Sequence, residues 1–224
     1  MNNKVELIGV YGDDELIACS AWTSTSRELT EEKKKRIPEL LNKLWNDGHE
    51  TPFEKGIVHF LVDCDIASHI HLLKHRISSL NGESARYKEL KEDKFYIPEE
   101  LYDCKISEDI YLLEDMHPFI KDKANWGDIL KIFSDETNRM YHLVIKDMEK
   151  QLGRKRAKES ARYFKMYNSQ IQSDVSFNMR SFANFLKLRM SEHAQVEIQE
   201  IASKMLDLVR QTGKFEHTLK AWGY

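Results

Sequence analysis

Cysteine and long apolar runs are scarce in this chain. Only three cysteines occur among 224 residues, none in a CxxC spacing, and three thiols cannot all pair within one chain. This favours a reducing compartment. No stretch has the apolar length needed to span a bilayer, and residues 1–4 lack the apolar core of a signal peptide. We therefore expect a cytoplasmic protein that has no membrane partner.

An excess of positive charge is also absent. The 34 Lys and Arg residues are outnumbered by 37 Asp and Glu residues, which gives a formal net charge of -3 at pH 7. Proteins that bind nucleic acid usually carry a broad basic surface, so we expect no nucleic-acid partner and only local contacts with anions. The length suits one domain, residues 1–224, with a real hydrophobic core.

Residues 71–87 (HLLKHRISSLNGESARY) are the most unusual stretch. They combine two histidines, three cations, three serines and an asparagine behind an apolar pair. Arg76 and Arg86 carry planar forks that match phosphate or carboxylate, and the serine hydroxyls add neutral donors. The composition predicts either a pocket for an anionic small molecule or a basic loop paired with the chain's own acids.

Two histidines of this stretch have a spacing that metal sites use. His71 and His75 stand four residues apart, as two ligands on one helix face do, but no Glu follows His71 to complete HExxH. No third ligand is evident nearby in the sequence. We therefore favour a polar helix face or a ligand pocket and expect no metal.

One five-residue motif occurs twice in the sequence. Residues 83–87 and 159–163 both read ESARY, with no longer repeat around either copy, so the sequence does not indicate a duplicated domain. The repeat is either chance or a pair of Ser-x-Arg donors for one anion. Taken alone, it favours chance.

A helix is predicted from residue 178 to about 190. At about 100° per residue, Asn178 and Arg189 fall within ~20° of each other, with Phe182 and Phe185 on either side. A charge inside an aromatic face needs a partner, which could be a chain carboxylate or a ligand. The opposite side carries a second polar stripe of Arg180, Asn184 and Lys187. The helix could therefore separate two ligands, or Arg189 could be a satisfied arginine in an oligomer interface.

The remaining patterns alternate between strands and helices. Strands are predicted at residues 5–12, 56–62 and 171–177, and helices at about 13–23, 30–45, 66–76 and 193–210. Residues 107–153 are charged and helical, and the chain closes with apolar anchors at Phe215, Leu219 and Trp222.

Several motifs together resemble the flavin-dependent thymidylate synthases. That family's signature is Arg-His-Arg, seven residues, then Ser; this chain has Lys74, His75 and Arg76, seven residues, then Ser84. Six further words stand in the family's order: residues 49–54 (HETPFE), 84–87 (SARY), 95–98 (FYIP), 178–181 (NMRS), 184–189 (NFLKLR) and 193–198 (HAQVEI). The resemblance covers roughly residues 40–98 and 155–205.

The resemblance implies a fold and an activity. The fold would be α+β, mostly helical with a small mixed or antiparallel sheet, in a homotetramer whose sites lie between subunits. The enzyme would convert dUMP to dTMP, with methylenetetrahydrofolate as carbon donor and NADPH-reduced FAD as hydride source. No cysteine lies in a matched motif, which fits a route without a thiolate nucleophile.

The resemblance also implies residue roles. FAD would be held by Thr51, Lys74, His75, Arg76, Asn178, Met179, Arg180 and Asn184. The dUMP would be held by His71, Glu83, Ser84, Ala85, Arg86, Arg162 and Arg189. Arg189 would also be the catalytic residue, because a guanidinium in a low-dielectric pocket stabilises a uracil deprotonated at N3.

Three departures from the family's usual residues keep two alternatives open. Lys74, Gly82 and His71 leave room for a flavin enzyme that makes another modified pyrimidine nucleotide, for example a hydroxymethylated one. The other alternative is a non-catalytic nucleotide-binding or helical scaffold protein.

Overall fold

The computed structural model describes residues 3–107 and 125–224. The strands are β1 (Lys4–Tyr11), β2 (Ile57–Asp65), β3 (Ser79–Gly82) and β4 (Gln170–Asn178). The helices are α1 (Asp14–Trp22), α2 (Glu31–Lys35), α3 (Ile37–Asn46), α4 (Ile66–Leu73), α5 (Glu100–Asp103), α6 (Trp126–Leu152), α7 (Arg154–Ala161), α8 (Met179–Arg189), α9 (Val196–Gln211) and α10 (Glu216–Ala221). Two 3₁₀ turns occupy Thr51–Lys55 and Arg162–Phe164.

The described chain divides into two compact units. The first, called the sheet unit, comprises Asn3–Asp63, Ile70–Gly82 and Gln172–Tyr224. The second, called the helical unit, comprises Cys64–His69 and the described part of Glu83–Ile171. The expectation of a single domain over residues 1–224 stays a prediction.

The sheet has four strands in the order β1-β2-β4-β3. Strands β1 and β2 pair antiparallel, with a bulge between Leu7 and Gly9, and β3 pairs antiparallel with β4. In β2 the inward residues Val58, Phe60 and Val62 are fully buried, as the predicted alternation requires. The expected α+β class is confirmed.

Helix α8 packs an aromatic face inside the sheet unit. Phe182 and Phe185 are fully buried, and the Phe182 ring lies 5.7 Å from Phe60 and 5.9 Å from Phe177. Phe177 and Phe185 are 5.2 Å apart. The helix begins where the side chain of Asn178 accepts a hydrogen bond from the Ser181 backbone N–H at 2.8 Å. This cap sets the residue at which α8 begins.

A glycine lets the segment before β2 approach the start of α8. The Gly56 carbonyl accepts a hydrogen bond from the Met179 N–H at 2.9 Å. A Cβ on Gly56 would stand 2.8 Å from Met179 Cγ and 2.9 Å from Phe215 Cε1, closer than side chains tolerate. The turn that carries residues 49–54 is thereby held against α8.

The helical unit has its own small core. Tyr141, Ile145 and Ala161 are buried together where α6 packs on α7. Beside them Lys165 points its ammonium inward, 3.0 Å from Asp93 Oδ1 and 4.4 Å from the centre of the Tyr141 ring. Burial lowers the pKa of Lys165, and Asp93 opposes that shift.

Helix boundaries differ from the predictions at three places. The helix predicted at residues 30–45 breaks between α2 and α3, because Pro38 has no N–H to donate to the preceding turn. The helix predicted to reach residue 76 ends at Leu73, and β3 follows it. The last long helix begins at Val196 rather than near residue 193. Of the segment predicted as helical at 107–153, residues 108–124 lie outside the described chain.

Across residues 3–107 and 125–224, none of the helices combines the length and apolarity needed to cross a membrane.

The C-terminal helix α10 is anchored by a remote carboxylate. Asp14, at the start of α1, is buried and accepts hydrogen bonds from the His217 N–H at 2.7 Å and the Thr218 N–H at 3.0 Å. It also accepts one from the Thr218 hydroxyl at 2.6 Å. The carboxylate satisfies backbone donors that the first turn of a helix leaves without partners.

Replacing Asp14 should therefore weaken the fold. We expect Asp14→Ala to lower the free energy of unfolding by about 2–3 kcal/mol, because it strands buried backbone donors. Asp14→Asn should cost less, since one amide oxygen can still accept from Thr218. Urea unfolding followed by circular dichroism measures both. The control Asp207→Ala removes an exposed partner of Arg210 and should change stability by less than about 0.5 kcal/mol. Equal losses for Asp14→Ala and Asp207→Ala would contradict the anchoring role.

Candidate active site

Arg189 closes helix α8 and is held by neutral acceptors. Its Nε donates to His75 Nε2 at 2.9 Å, and its Nη2 donates to the His71 carbonyl at 3.4 Å. A guanidinium has five N–H bonds, so three remain after these two contacts. The half-buried charge is therefore not neutralised by either acceptor.

His75 supplies the shorter of those two contacts. Its side chain is buried, and its ring stands edge-on to Phe185 with the centroids 4.9 Å apart. Burial, followed by the nearby Arg189 charge and His71, lowers the pKa of His75 from its ordinary value of 6.5 to about 4. The imidazole is accordingly neutral at physiological pH.

The ring of His71 has a different neighbour. Its Nε2 lies 3.2 Å from the side-chain oxygen of Gln195, which stands at the N-terminal end of α9. Each histidine of the i,i+4 pair thus uses Nε2 in a contact with another side chain. Within the described ranges, no three His, Cys, Asp or Glu side chains form a group that could hold a metal ion.

The opposite face of α8 meets residues 49–54. Arg180 donates from Nε to Glu50 Oε2 at 2.8 Å and from Nη1 to Glu54 Oε1 at 2.7 Å. The hydrogen bonds to Glu54 and Glu50 raise the pKa of Arg180. Thr51 begins the 3₁₀ turn and is exposed, as is Asn184 one turn along α8 from Arg180.

The other residues predicted to hold FAD differ in their exposure and in their side-chain contacts. Lys74 and Arg76 are exposed on either side of buried His75, and within the described chain neither has a carboxylate partner. Asn178 uses its side chain to cap α8, and the Met179 side chain is fully buried. Their direct contact with FAD stays a prediction.

In the helical unit the two ESARY copies touch. Arg86 of the first copy donates from Nε to Glu159 of the second at 3.2 Å, and Lys158 donates to the Tyr87 carbonyl at 2.7 Å. Hydrogen bonds from Arg156 and then Arg86 lower the pKa of Glu159. The second copy therefore supports the loop that carries the first.

Four more residues that are predicted to bind dUMP lie in the helical unit: Glu83, Ser84, Ala85 and Arg162. Ser84 and Ala85 are half-buried, and Glu83 accepts from Lys88 at 2.6 Å. Arg162 is exposed over the Tyr163 ring, 5.7 Å from its centre, and has no carboxylate partner within residues 3–107 and 125–224.

Three neighbours of the predicted site were not identified from the sequence. Glu50 and Glu54 lie in a matched motif, but nothing in the sequence connects them to an arginine more than 120 residues away. Gln195 also lies in a matched motif, yet its contact with His71 depends on how α9 packs. Pairing of distant motifs could have been sought, but a single sequence carries no signal for it.

Comparison with known proteins gives a family. The family model described as thymidylate synthase complementing protein matches residues 6–212. The flavin-dependent thymidylate synthase of Pseudothermotoga lettingae is 32% identical over 88% of this chain and 80% of its own. That of Thermosipho melanesiensis is 33% identical over 92% of this chain and 85% of its own.

A solved structure has a similar fold. PolB from Streptomyces cacaoi, a UMP/dUMP methylase crystallised with 5-Br dUMP, matches with a TM-score of 0.77 at 23% identity, covering 99% of this chain and 95% of that one. The ordered motifs and the family match place this chain in a class of nucleotide-modifying enzymes. This chain belongs to the family of flavin-dependent thymidylate synthases, and the resemblance drawn from its motifs is confirmed.

The His75 environment predicts a pH effect on stability. Between pH 6.5 and about 4, His75 is protonated in the unfolded chain but stays neutral in the folded protein. The free energy of unfolding should therefore fall as the pH is lowered through that window. Urea unfolding at several pH values measures the slope. His75→Gln, which removes the titrating imidazole, should flatten it. An unchanged slope in His75→Gln would contradict the buried neutral imidazole.

Proposed function

We propose that this enzyme is a flavin-dependent thymidylate synthase, which methylates dUMP to dTMP with methylenetetrahydrofolate as carbon donor. The observation that carries the proposal is the state of Arg189: a half-buried cation whose two acceptors within the described residues are both neutral. A buried charge is costly without a compensating partner, and three of its N–H bonds remain for a ligand.

Membership of the family implies FAD as cofactor, with NADPH as the reductant. The donors near α8 suit it: Lys74 and Arg76 are exposed cations without carboxylate partners in the described chain, and Asn184 offers an exposed amide. Cations of this kind match a diphosphate, and amides match the polar edge of a flavin ring. When bound, FAD would supply the hydride.

Arg189 would act on the pyrimidine. A uracil that has lost its N3 proton is rich in electrons, and a fixed guanidinium stabilises that charge without giving up its own proton. Since His75 and His71 contribute no negative charge, the full positive charge of Arg189 is available to the base. The chain needs no thiolate for this step.

Arg86 and Arg162 would bind the dUMP phosphate. Arg86 uses one N–H on Glu159, which leaves its two terminal nitrogens for phosphate oxygens. Arg162 is exposed and has no competing carboxylate in the described chain. Two guanidinium forks form strong charge-assisted hydrogen bonds to a phosphate. The proposal includes the homotetramer with active sites between subunits that the family implies.

The proposed chemistry predicts the behaviour of two variants of the same helix. Protein reconstituted with FAD should be yellow, oxidise NADPH faster with dUMP present, and convert labelled dUMP to dTMP. Arg189→Ala should lower kcat by about 10²–10³-fold, because it removes the group that stabilises the developing charge. Lys187→Ala, an exposed cation on α8, should keep the wild-type rate.

Product analysis closes this test. A hydroxymethylated nucleotide in place of dTMP would contradict the proposed product and favour the alternative of another pyrimidine-modifying flavin enzyme. A protein that cannot take up FAD, or an Arg189→Ala variant with full turnover, would contradict the proposed function.

The phosphate assignment predicts a selective loss. Arg162→Ala should weaken dUMP binding by about ten- to a hundredfold, since a charge-assisted hydrogen bond contributes roughly 1.5–3 kcal/mol. Calorimetric titration should show no comparable loss for deoxyuridine, which lacks the phosphate. Lys155→Ala makes the same charge change on neighbouring α7 and serves as the control. Equal losses for dUMP and deoxyuridine would contradict the assignment.

A further inference from the structure

The contact between His75 and Arg189 fixes the protonation of the imidazole. A guanidinium only donates, so the Nε2 atom of His75 must accept and the ring proton must lie on Nδ1. The groups whose positive charge would act on the ring are Arg189 on α8 and, when it is protonated, His71 on α4.

The backbone holds the imidazole in place. The His75 N–H donates to the Leu72 carbonyl at 3.1 Å, at the C-terminal end of α4, and the Ser78 hydroxyl donates to the His75 carbonyl at 2.6 Å. Phe185, one turn before Arg189 on α8, packs against the ring. The acceptor is therefore fixed before any ligand binds.

The two acceptors hold one side of the guanidinium. Nε and Nη2 lie along one edge, and they donate to His75 Nε2 and to the His71 carbonyl. The opposite end, formed by Nη1 and the second N–H of Nη2, keeps three N–H bonds. A carboxylate in the position of His75 would hold the same edge but would cancel the charge.

We propose that His75 is a positioning residue for the reaction: its neutral imidazole fixes the Nε–Nη2 edge of Arg189, so that the other end of the guanidinium is presented to the pyrimidine with its charge intact. The proposal rests on the proposed function. In this proposal the Nε2 atom of His75 accepts from the catalytic arginine, whereas the motif by itself predicts that His75 binds FAD.

Kinetics of matched variants test this role. His75→Leu removes the acceptor and should lower kcat about 10–100-fold, because a small misplacement of a catalytic group has effects of that size. The KM for dUMP should change by less than about threefold. His75→Gln retains a neutral acceptor and should lose no more than about fivefold in kcat.

Two further readouts separate positioning from loss of structure or flavin. The kcat is expressed per bound flavin, so that a change in the FAD occupancy of His75→Leu is separated from a change in the reaction itself. In an Arg189→Ala background, His75→Leu should cause no further loss, since both act through the same guanidinium. Additive losses, or a His75→Gln variant as slow as His75→Leu, would each overturn the proposal.

A spectroscopic measurement makes the test independent of turnover. Histidine ¹⁵N NMR of the wild-type protein should show His75 neutral at pH 7 with its proton on Nδ1, and Arg189→Ala should raise the pKa of His75 toward 6.5. A proton on Nε2 in an active enzyme would overturn the role of His75 alone. A wild-type protein with the Nδ1 proton but no dUMP-dependent turnover would overturn the proposed function, and the role of His75 in the reaction with it.

Discussion

The arrangement at the end of α8 depends on a cation held by groups that carry no charge. A carboxylate would stabilise Arg189 more simply, and two other arginines do have carboxylate partners. Arg180 contacts Glu50 and Glu54, and Arg86 contacts Glu159. A neutral imidazole and a carbonyl instead accept from the guanidinium, and neither of them compensates its charge. Burial makes that charge more effective, because the local dielectric is lower than that of water.

The fold supplies this geometry through the register of one helix. The Asn178 cap sets where α8 begins, and eleven residues later, three helical turns on, Arg189 emerges near the same side. Between them Phe182 and Phe185 pack against Phe60 and Phe177, so the helix cannot rotate without opening the core. The same helix carries Arg180 and Asn184 on its exposed side. Gly56 then holds residues 49–54 against its first turn.

Many features of the candidate site were predictable from short sequence motifs, because residue types and their spacing can be read directly from neighbouring positions. The helix from residue 178 to about 190, its two polar stripes, and the donor-rich stretch at 71–87 were all deduced from residue types and spacing. In the structure the two ESARY copies are in contact, since Arg86 of one donates to Glu159 of the other. That both copies supply donors for one anion stays a prediction. The break at Arg36 and the late start of α9 were missed, since helical periodicity continues through both boundaries. No local pattern marks Lys165, whose side chain is a buried cation beside Asp93 and Tyr141.

By itself the sequence determined the family, the α+β class and the side of α8 on which Arg189 lies, because periodicity and ordered motifs are properties of neighbouring residues. Only the tertiary structure decided which partners the charged groups have. Arg189 contacts His75, 114 residues away, and Arg180 contacts Glu50, 130 residues away. Both contacts follow from the packing of α8 between segments that are distant in the chain. Hydrogen bonds act over about 3 Å in space, and residue order does not encode that distance.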